Sequence, residues 1–306
     1  MVSVAMATYN GQKYIREQLD SIMQQTVLPD EIIVRDDGSS DNTIGIIKEY
    51  EELYEDIRWD VQVNETNIGF VANFMGAIKA CKEEIIVLCD QDDVWKEVKI
   101  ERIIDFFSDP NVLSLHSDID IIGDNKELIR KNAIDYHERK KKMMLQDFFR
   151  HIYYCGMSTA FRKDLVPQLI SIDPKRLPVH DWLVHAVAVC QYGMFTSSEV
   201  LAYRRFHEDN VALNLSKTKR KGINQRLEVV NYYCWHYELL KELANMVGTS
   251  RKDRVLIEKV LSTNLNRKEY LRKRSLLDAI KNVVNIKFYP TKQAFISDVL
   301  YLMKVF

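Results

Sequence analysis

The chain of 306 residues is 46% apolar and 28% charged, the proportions of an ordinary soluble globular protein. Glycine (10 residues) and proline (6 residues) are scarce, which excludes collagen-like, linker-dominated and low-complexity chains. No apolar run approaches the ~18 residues of a membrane-spanning helix and no signal sequence is visible, so we expect a cytoplasmic location. The 5 cysteines form no CxxC pair and are expected to be reduced packing residues.

Charge is distributed unevenly along the chain. Residues 1–215 contain 24 basic and 36 acidic side chains, whereas residues 216–306 contain 19 basic and 8 acidic ones. An acidic body followed by a basic region indicates either two separate roles or one role carried out beside an anionic surface. We therefore predict two domains, residues 1–215 and 216–306.

Short apolar, β-rich runs alternate with amphipathic stretches in the first 120 residues. The predicted strands are residues 2–7, 32–35, 61–64, 85–89 and 112–116. The predicted helices are residues 13–24, 70–81 and 97–107, with another that begins at residue 41. Alternation at this spacing predicts an α/β fold with a mostly parallel sheet covered by helices on both faces.

Beyond residue 120 the alternation weakens and the pattern changes. Phe161, Trp182 and Tyr203 are expected to anchor a mixed edge of the sheet. From residue 222 onward apolar residues recur at three- and four-residue intervals, and a second helical run covers about residues 253–282. The C-terminal region is therefore predicted to be a helical appendage.

Polar side chains follow four successive predicted strands. In a parallel sheet the carboxyl ends of the strands form one edge, and α/β proteins bind their ligands there. We therefore expect a site at this edge. The residues expected to build it are Thr8, Tyr9 and Asn10; Asp36 and Asp37; Asn67 and Gly69; and Asp90, Gln91, Asp92 and Asp93.

The acidic run after the fourth predicted strand is the strongest of these signals. Asp90, Asp92 and Asp93 place three carboxylates within four residues, and like charges so close repel each other. A divalent cation that is also held by substrate phosphate oxygens resolves the conflict, and Mg²⁺ or Mn²⁺ suits such oxygen ligands. The alternative is an acidic helix N-terminus that binds no metal.

The turn from Asp36 to Asp41 also has two interpretations. Ser40 or Asp41 caps the following helix, or one of the aspartates accepts hydrogen bonds from a nucleotide base or ribose. Both interpretations hold together, because the turn is long enough for a cap and a contact. The polar turn after the first strand is ordinary by itself.

Taken in order, four motifs resemble those of family 2 glycosyltransferases, which are inverting enzymes with a GT-A nucleotide-diphospho-sugar fold. The similarity continues in two later segments that are typical of bacterial rhamnosyltransferase-like members, which build cell-surface polysaccharides. The resemblance covers about residues 1–215. Its motifs are Ala7-Thr8-Tyr9-Asn10-Gly11, Asp36-Asp37-Gly38-Ser39-Ser40-Asp41, Asn67-Ile68-Gly69 and Asp90-Gln91-Asp92-Asp93, followed by His180-Asp181-Trp182 and residues 203–210.

The resemblance implies a role for each matching position. Thr8, Tyr9 and Asp37 match residues that line the nucleotide base and ribose, and Asp90 belongs to the same nucleotide site. Asp92 matches the metal ligand of the DxD motif, Asp181 the catalytic base, and His207 a late histidine on the metal or diphosphate. The chain departs from many relatives after the DxD motif, where Lys96-Glu97 stands in place of a proline. That difference concerns the start of the next helix more than the chemistry.

Two of these roles have structural alternatives. Asp181 lies beside the Trp182 indole, and partial desolvation there tends to raise the pKa of a carboxylate toward the range of a useful base. Otherwise Asp181 only caps a helix. His207 is either a metal ligand or, with Arg204 and Arg205, part of a solvated basic turn or a phosphate contact without metal.

The basic C-terminal region suits an anionic membrane surface, where a lipid-linked acceptor would be presented. Five basic residues within 267–274 are expected on such a basic face. The alternative is a helical appendage that serves packing or a homodimer. Nucleic-acid binding is a third option, but the acidic body and the lack of an RRM, KH or zinc pattern argue against it, so we expect no nucleic-acid partner.

These observations favour a metal-dependent inverting glycosyltransferase. It would move a sugar, rhamnose among the candidates, from a dTDP- or UDP-linked donor to a glycan or lipid-linked oligosaccharide. A nucleotidyltransferase is rejected because the loop after the first strand has one glycine and a single nearby lysine, Lys13. The remaining alternative is an inactive family member that acts as a sugar-nucleotide-binding or scaffold protein.

Overall fold

A computed structural model describes residues 1–150, 153–177, 179–207 and 223–303. The chain forms two compact units. The first consists of Met1–Met143 and Tyr153–Glu208, and the second of Met144–Ile152 and Asp209–Phe306. The domain boundary predicted between residues 215 and 216 lies outside the described residues. The short segment Met144–Ile152, which we had placed in the catalytic domain, belongs to the helical second unit.

The first unit is an α/β unit whose described residues include a ten-stranded sheet. The strands are β1 (Val2–Thr8), β2 (Glu31–Asp36), β3 (Arg58–Val63), β4 (Ile85–Cys89), β5 (Val94–Trp95), β6 (Ser114–Ile122), β7 (Leu128–Arg130), β8 (Lys141–Lys142), β9 (Thr159–Arg162) and β10 (Met194–Arg205). Their order is β3-β2-β1-β4-β9-β6-β10-β5, with β7 beside β6 and β8 beside β10. The flanking helices are α1 (Ile15–Met23), α2 (Thr43–Leu53), α3 (Phe70–Ala80), α4 (Lys99–Phe107), α6 (Val166–Ile170) and α7 (His180–Cys190).

Continuous burial explains the central strands. Every residue of β1, β2 and β4 is buried, as expected for strands covered by helices on both faces of a parallel sheet. The register places Val4 of β1 between Ile32 of β2 and Val87 of β4. The predicted mostly parallel sheet flanked by helices is confirmed.

Beyond residue 120 the sheet differs from a simple parallel alternation. Strand β9 runs antiparallel between β4 and β6, and β5 pairs antiparallel with β10. Phe161 and Tyr203 lie in strands, but Trp182 lies in helix α7 and not at a sheet edge. Because β9 runs the opposite way, the residues that precede it lie at the same edge of the sheet as the carboxyl ends of β1, β4, β6 and β10.

The second unit is helical throughout its described residues. Its helices are α5 (Leu145–Phe148), α8 (Ile223–Met246), α9 (Arg251–Lys273), α10 (Leu276–Lys281) and α11 (Lys292–Met303). An apolar cluster forms the core, with Val230, Tyr270, Leu271, Ala279 and Leu302 among its members. No helix in the described ranges is long and apolar enough to cross a membrane.

A buried ion pair also occupies this core. Asp298 accepts hydrogen bonds from Arg267 (Nε–Oδ2, 2.8 Å), Arg226 (Nε–Oδ1, 2.6 Å) and the Tyr270 hydroxyl (2.7 Å). Arg267 is therefore not on an exposed basic face, contrary to the sequence-based expectation. The exposed basic residues of this segment are Lys268, Arg272, Lys273 and Arg274. Arg272 and Lys273 form ion pairs with Glu269.

Candidate active site

The acidic motif Asp90-Gln91-Asp92-Asp93 follows β4 directly, as predicted, and its three carboxylates have different surroundings. Asp93 is buried and accepts a hydrogen bond from the Arg205 backbone N–H (2.8 Å). Burial raises the pKa of Asp93 well above its ordinary value, and the nearby charges of Asp92 and Asp90 raise it further. Asp93 is therefore suited to shaping the loop, whereas Asp90 and Asp92 remain partly accessible.

Arg205 locks this loop in place. Its side chain is only 1% exposed, and it donates from Nε to the Asp92 carbonyl (2.9 Å) and from Nη1 to the Asp124 carbonyl (2.7 Å). It also forms an ion pair with Glu17. Arg205 is therefore buried and is not part of a solvated basic turn, which was one of the alternatives predicted from the sequence. Sequence reasoning missed this role because nothing local distinguishes a buried arginine from an exposed one.

Asp92 and His207 lie together at the carboxyl edge of the sheet. The His207 Nε2 atom is 2.8 Å from Asp92 Oδ2, and the His207 ring packs against Tyr14 with centroids 4.8 Å apart. A carboxylate oxygen and an imidazole nitrogen are both suitable ligands for Mn²⁺, and substrate diphosphate commonly completes such sites. The described residues contain no group of three or more His, Cys, Asp or Glu side chains that could hold a metal by themselves. The pair is compatible with a metal site to which substrate phosphate oxygens also contribute ligands.

Asp181 lies in the first turn of α7 and is buried. Its Oδ1 atom accepts a hydrogen bond from the Trp182 backbone N–H (2.6 Å). Burial raises the pKa of Asp181 to about 7, with a smaller contribution from the negative charge of Asp90, and Arg204 opposes the rise. A carboxyl group with this pKa is partly ionised near neutral pH and can accept a proton.

Asp90 lies in the same electrostatic environment as Asp181, since the charge of Arg204 acts on both carboxyl groups. Burial raises its pKa to about 6, and the charge of Asp92 adds to the rise, whereas Arg204 and the Met157 backbone N–H lower it. Lys99, buried below the loop, donates its Nζ hydrogen bond to the Met157 carbonyl. Burial lowers the pKa of Lys99 to about 7. Sequence reasoning missed Lys99, because a lysine in an amphipathic helix normally faces solvent.

Arg204 is a cation whose charge acts on several of these carboxyl groups. Its Nη1 atom lies 3.6 Å from Cys155 Sγ, and its charge acts on Asp90, Asp93 and Asp181. Unlike Arg205, the Arg204 residue is partly exposed. The sequence alone predicts Arg204 either as part of a solvated basic turn or as a phosphate contact.

Thr8, Tyr9 and Asp37 lie at the ends of β1 and β2. The Thr8 hydroxyl donates to Asp36 (2.7 Å), and Tyr9 is 47% exposed. Gln91 bonds the Tyr9 backbone in both directions, accepting from its N–H (2.8 Å) and donating to its carbonyl (3.0 Å). The loop after β1 is thereby joined to the acidic motif.

The Asp37 carboxylate is hydrogen-bonded to the segment that precedes α3. Its carboxylate accepts from the backbone N–H groups of Ile68 (2.8 Å) and Gly69 (2.9 Å) and from Asn64 Nδ2 (3.0 Å). Gly69 has a φ of 87°, a left-handed conformation that favours glycine. Asp37 therefore holds the Asn64–Gly69 turn beside the β2 end. Its carboxylate has more acceptor sites than these three hydrogen bonds use.

The sequence profile of glycosyl transferase family 2 matches residues 3–170. The chain belongs to this family. It is 28% identical over 242 residues to an uncharacterized glycosyltransferase of Nostoc sp., covering 76% of this chain and 74% of that protein. It is 29% identical over 257 residues to the dTDP-rhamnosyl transferase RfbG of Shigella flexneri, covering 79% of this chain and 84% of that protein.

Solved structures agree on the fold of this family 2 glycosyltransferase. The Staphylococcus aureus TarS fragment 1–349 in complex with UDP-GlcNAc superposes with a TM-score of 0.63 at 16% identity. The match covers 99% of this chain and 90% of that one. The expected GT-A fold with C-terminal helices is thereby confirmed.

Proposed function

We propose that this glycosyltransferase moves a sugar from a nucleotide-diphospho-sugar to a hydroxyl group of an acceptor glycan with inversion at the anomeric carbon. Its place would be the assembly of bacterial cell-surface polysaccharide, on a glycan or lipid-linked oligosaccharide. The observation that carries the proposal is Asp181, a buried carboxyl group with a pKa of about 7 at the edge that also holds the DxD motif. Rhamnose is the first donor sugar to test, because the similar Shigella protein is named a dTDP-rhamnosyl transferase.

Inverting transfer is a single displacement. Asp181 takes the proton of the acceptor hydroxyl, and the oxygen forms a bond to the anomeric carbon as the bond to the diphosphate oxygen breaks. The bonding pair leaves with the diphosphate, and no covalent enzyme intermediate forms. Arg204 supplies a nearby positive charge for the departing group.

We propose that Asp92 and His207 would hold Mn²⁺ or Mg²⁺ together with the donor diphosphate. A bound divalent cation neutralises the charge that develops on the leaving group. The 2.8 Å contact between the two side chains supports their assignment to one ligand set. Thr8, Tyr9, Asp37 and Asp90 are proposed to line the base and ribose of the nucleotide.

A donor screen tests the transfer. Purified protein is incubated with dTDP-rhamnose, UDP-glucose or UDP-GlcNAc, with Mn²⁺, Mg²⁺ or EDTA, and release of nucleoside diphosphate is measured. We expect slow metal-dependent hydrolysis of one donor, and its loss in Asp181→Asn. Donor binding without turnover under any condition, in the presence of candidate acceptors, would instead support the inactive sugar-nucleotide-binding alternative.

We further propose that the second unit attaches the enzyme reversibly to the anionic inner face of the cell membrane. Helices α10 and α11 pack against each other, and a 3-10 helix (Asn282–Phe288) follows α10. Large apolar side chains are exposed on α10 and on this 3-10 helix, led by Leu277 (73% exposed) and Val284 (76% exposed). The same segment carries exposed Lys281, Lys287 and Lys292. Apolar side chains surrounded by lysines suit an interface of lipid head groups and acyl chains.

Vesicle flotation tests this attachment. We expect binding to anionic vesicles that weakens in high salt and is reduced in the double variant Leu277→Glu, Val284→Glu. Leu53→Glu is the matched control, because Leu53 is equally exposed (72%) but lies in the first unit. Loss of a dimer in the double variant, without vesicle binding by the wild type, would support a homodimer through these helices instead.

A further inference from the structure

His180 is a buried histidine whose two ring nitrogens both lack a hydrogen-bond partner within the described residues. Its ring stacks on Phe74 with centroids 3.9 Å apart, and Phe70 meets it edge-on at 6.2 Å. Burial lowers the pKa of His180 to about 3, so the imidazole is neutral. A neutral imidazole keeps one donor and one acceptor nitrogen.

Another buried histidine of the same helix shows what such a side chain normally does. His185 is fully buried, and its two nitrogens lie 3.0 Å from the hydroxyls of Ser114 and Thr159. Leaving a buried polar group unpaired is unfavourable, and each such group in a folded protein calls for an explanation. His180 therefore differs from a histidine that only fills the core.

The location of His180 supplies the explanation. A Cβ atom added at Gly156 would lie 3.3 Å from His180 Nε2 and 3.7 Å from Asp90 Oδ2. Both polar atoms thus border the space beside Gly156 in which a side chain would stand. His180 directly precedes Asp181, and the charge of Asp90 acts on Asp181, so this space belongs to the same part of the site as the acidic motif and the proposed base.

The order of the reacting groups in a single displacement indicates which part of the substrate lies beside His180. The anomeric carbon must lie between the departing diphosphate and the attacking hydroxyl. His180 adjoins Gly156 together with Asp90 of the acidic motif and directly precedes Asp181, so we expect its side chain to face the transferred sugar. Sugar hydroxyls both donate and accept hydrogen bonds, which matches an unpaired imidazole nitrogen beside a carboxylate.

We propose that His180 is a specificity-determining residue that binds a hydroxyl group of the donor sugar over Gly156. This inference rests on the proposed function, because it requires a nucleotide-diphospho-sugar in the site. In this arrangement the nucleoside diphosphate is not expected to contact His180. Removing the imidazole should therefore weaken the binding of the sugar nucleotide and leave that of the nucleoside diphosphate unchanged.

The test compares two kinds of ligand in each variant, nucleoside diphosphates and sugar nucleotides. Calorimetry with Mn²⁺ measures the affinities of UDP and dTDP against those of UDP-GlcNAc, UDP-glucose and dTDP-rhamnose. We expect His180→Phe to weaken the best sugar nucleotide on the order of 10-fold and the matching nucleoside diphosphate less than about 2-fold. Gly156→Ala should act in the same direction, because its methyl group would occupy the space without removing a hydrogen-bonding group.

His185→Phe is the matched control, since it changes a buried histidine of the same helix away from that space. We expect it to lower the melting temperature without changing the ratio of the two affinities. Unchanged sugar-nucleotide affinity in both His180→Phe and Gly156→Ala, or an equal loss for both ligands, would overturn the inference alone. A wild-type protein that binds none of the five ligands would overturn the proposed function as well.

Discussion

Replacing Asp181 by asparagine removes the proposed proton acceptor but keeps the size of the side chain and an oxygen that can accept the hydrogen bond from the Trp182 backbone N–H. The folded protein holds this carboxyl group at a pKa of about 7 instead of 3.8, chiefly because burial disfavours its charged form. One pKa unit corresponds to ~1.4 kcal/mol, so ionised Asp181 lowers the free energy of unfolding by about 4 kcal/mol. The same substitution should therefore lower turnover strongly and stabilise the fold.

The sign of the pH dependence follows from the raised pKa. Below about pH 4 the group is protonated in both the folded and the unfolded chain, and the penalty is absent. Between about pH 4 and 7 the unfolded chain loses its proton first, so the stability of the wild type falls as pH rises. Asp181→Asn has no such group, so its advantage over the wild type should grow from pH 4 to pH 8.

Two measurements check this expectation. Urea denaturation at pH 4 and pH 8 gives the stability difference, and release of nucleoside diphosphate with acceptor gives turnover. We expect turnover to fall by ~10²–10⁴ while nucleotide affinity stays unchanged. Wild-type turnover should rise with pH through about 7. Near-normal turnover, or a stability difference that is the same at both pH values, would refute the reasoning.

Three further predictions concern residues around the site and in the second unit. Asp92→Ala should remove most of the Mn²⁺-dependent gain in UDP affinity seen by calorimetry; an unchanged gain would exclude Asp92, though not His207, as a ligand. Arg205→Lys should lower the free energy of unfolding by about 2–4 kcal/mol in urea, because lysine cannot reproduce the bonds of the buried guanidinium. Asp298→Asn should cost about 3–5 kcal/mol, because buried Arg267 loses its counter-charge. A loss below about 1 kcal/mol in either variant would contradict the buried-pair interpretation.

The sequence alone was sufficient to predict the first four strands, the helices between them and the C-terminal helical region. Strands β1, β2 and β4 are encoded locally, since burial on both faces gives an apolar run, and the helices are encoded by the periodicity that burial on one face produces. The order of polar residues after the strands likewise identified the edge of the sheet and the family. Those residues adjoin their strands in the chain, so parallel pairing brings them together automatically.

Only the tertiary structure decided which charged groups are buried and what they contact. The burial of Arg205, Lys99 and Arg267 depends on elements distant in the chain, and no local pattern separates them from exposed basic residues. The antiparallel insertion of β9, which places Gly156 beside Asp90, also depends on pairing across about 70 residues. The pKa of Asp181 and the unpaired ring of His180 follow from the desolvation that all surrounding elements produce together. Desolvation arises only when elements that are distant in the chain pack together, so it cannot be read from the local sequence.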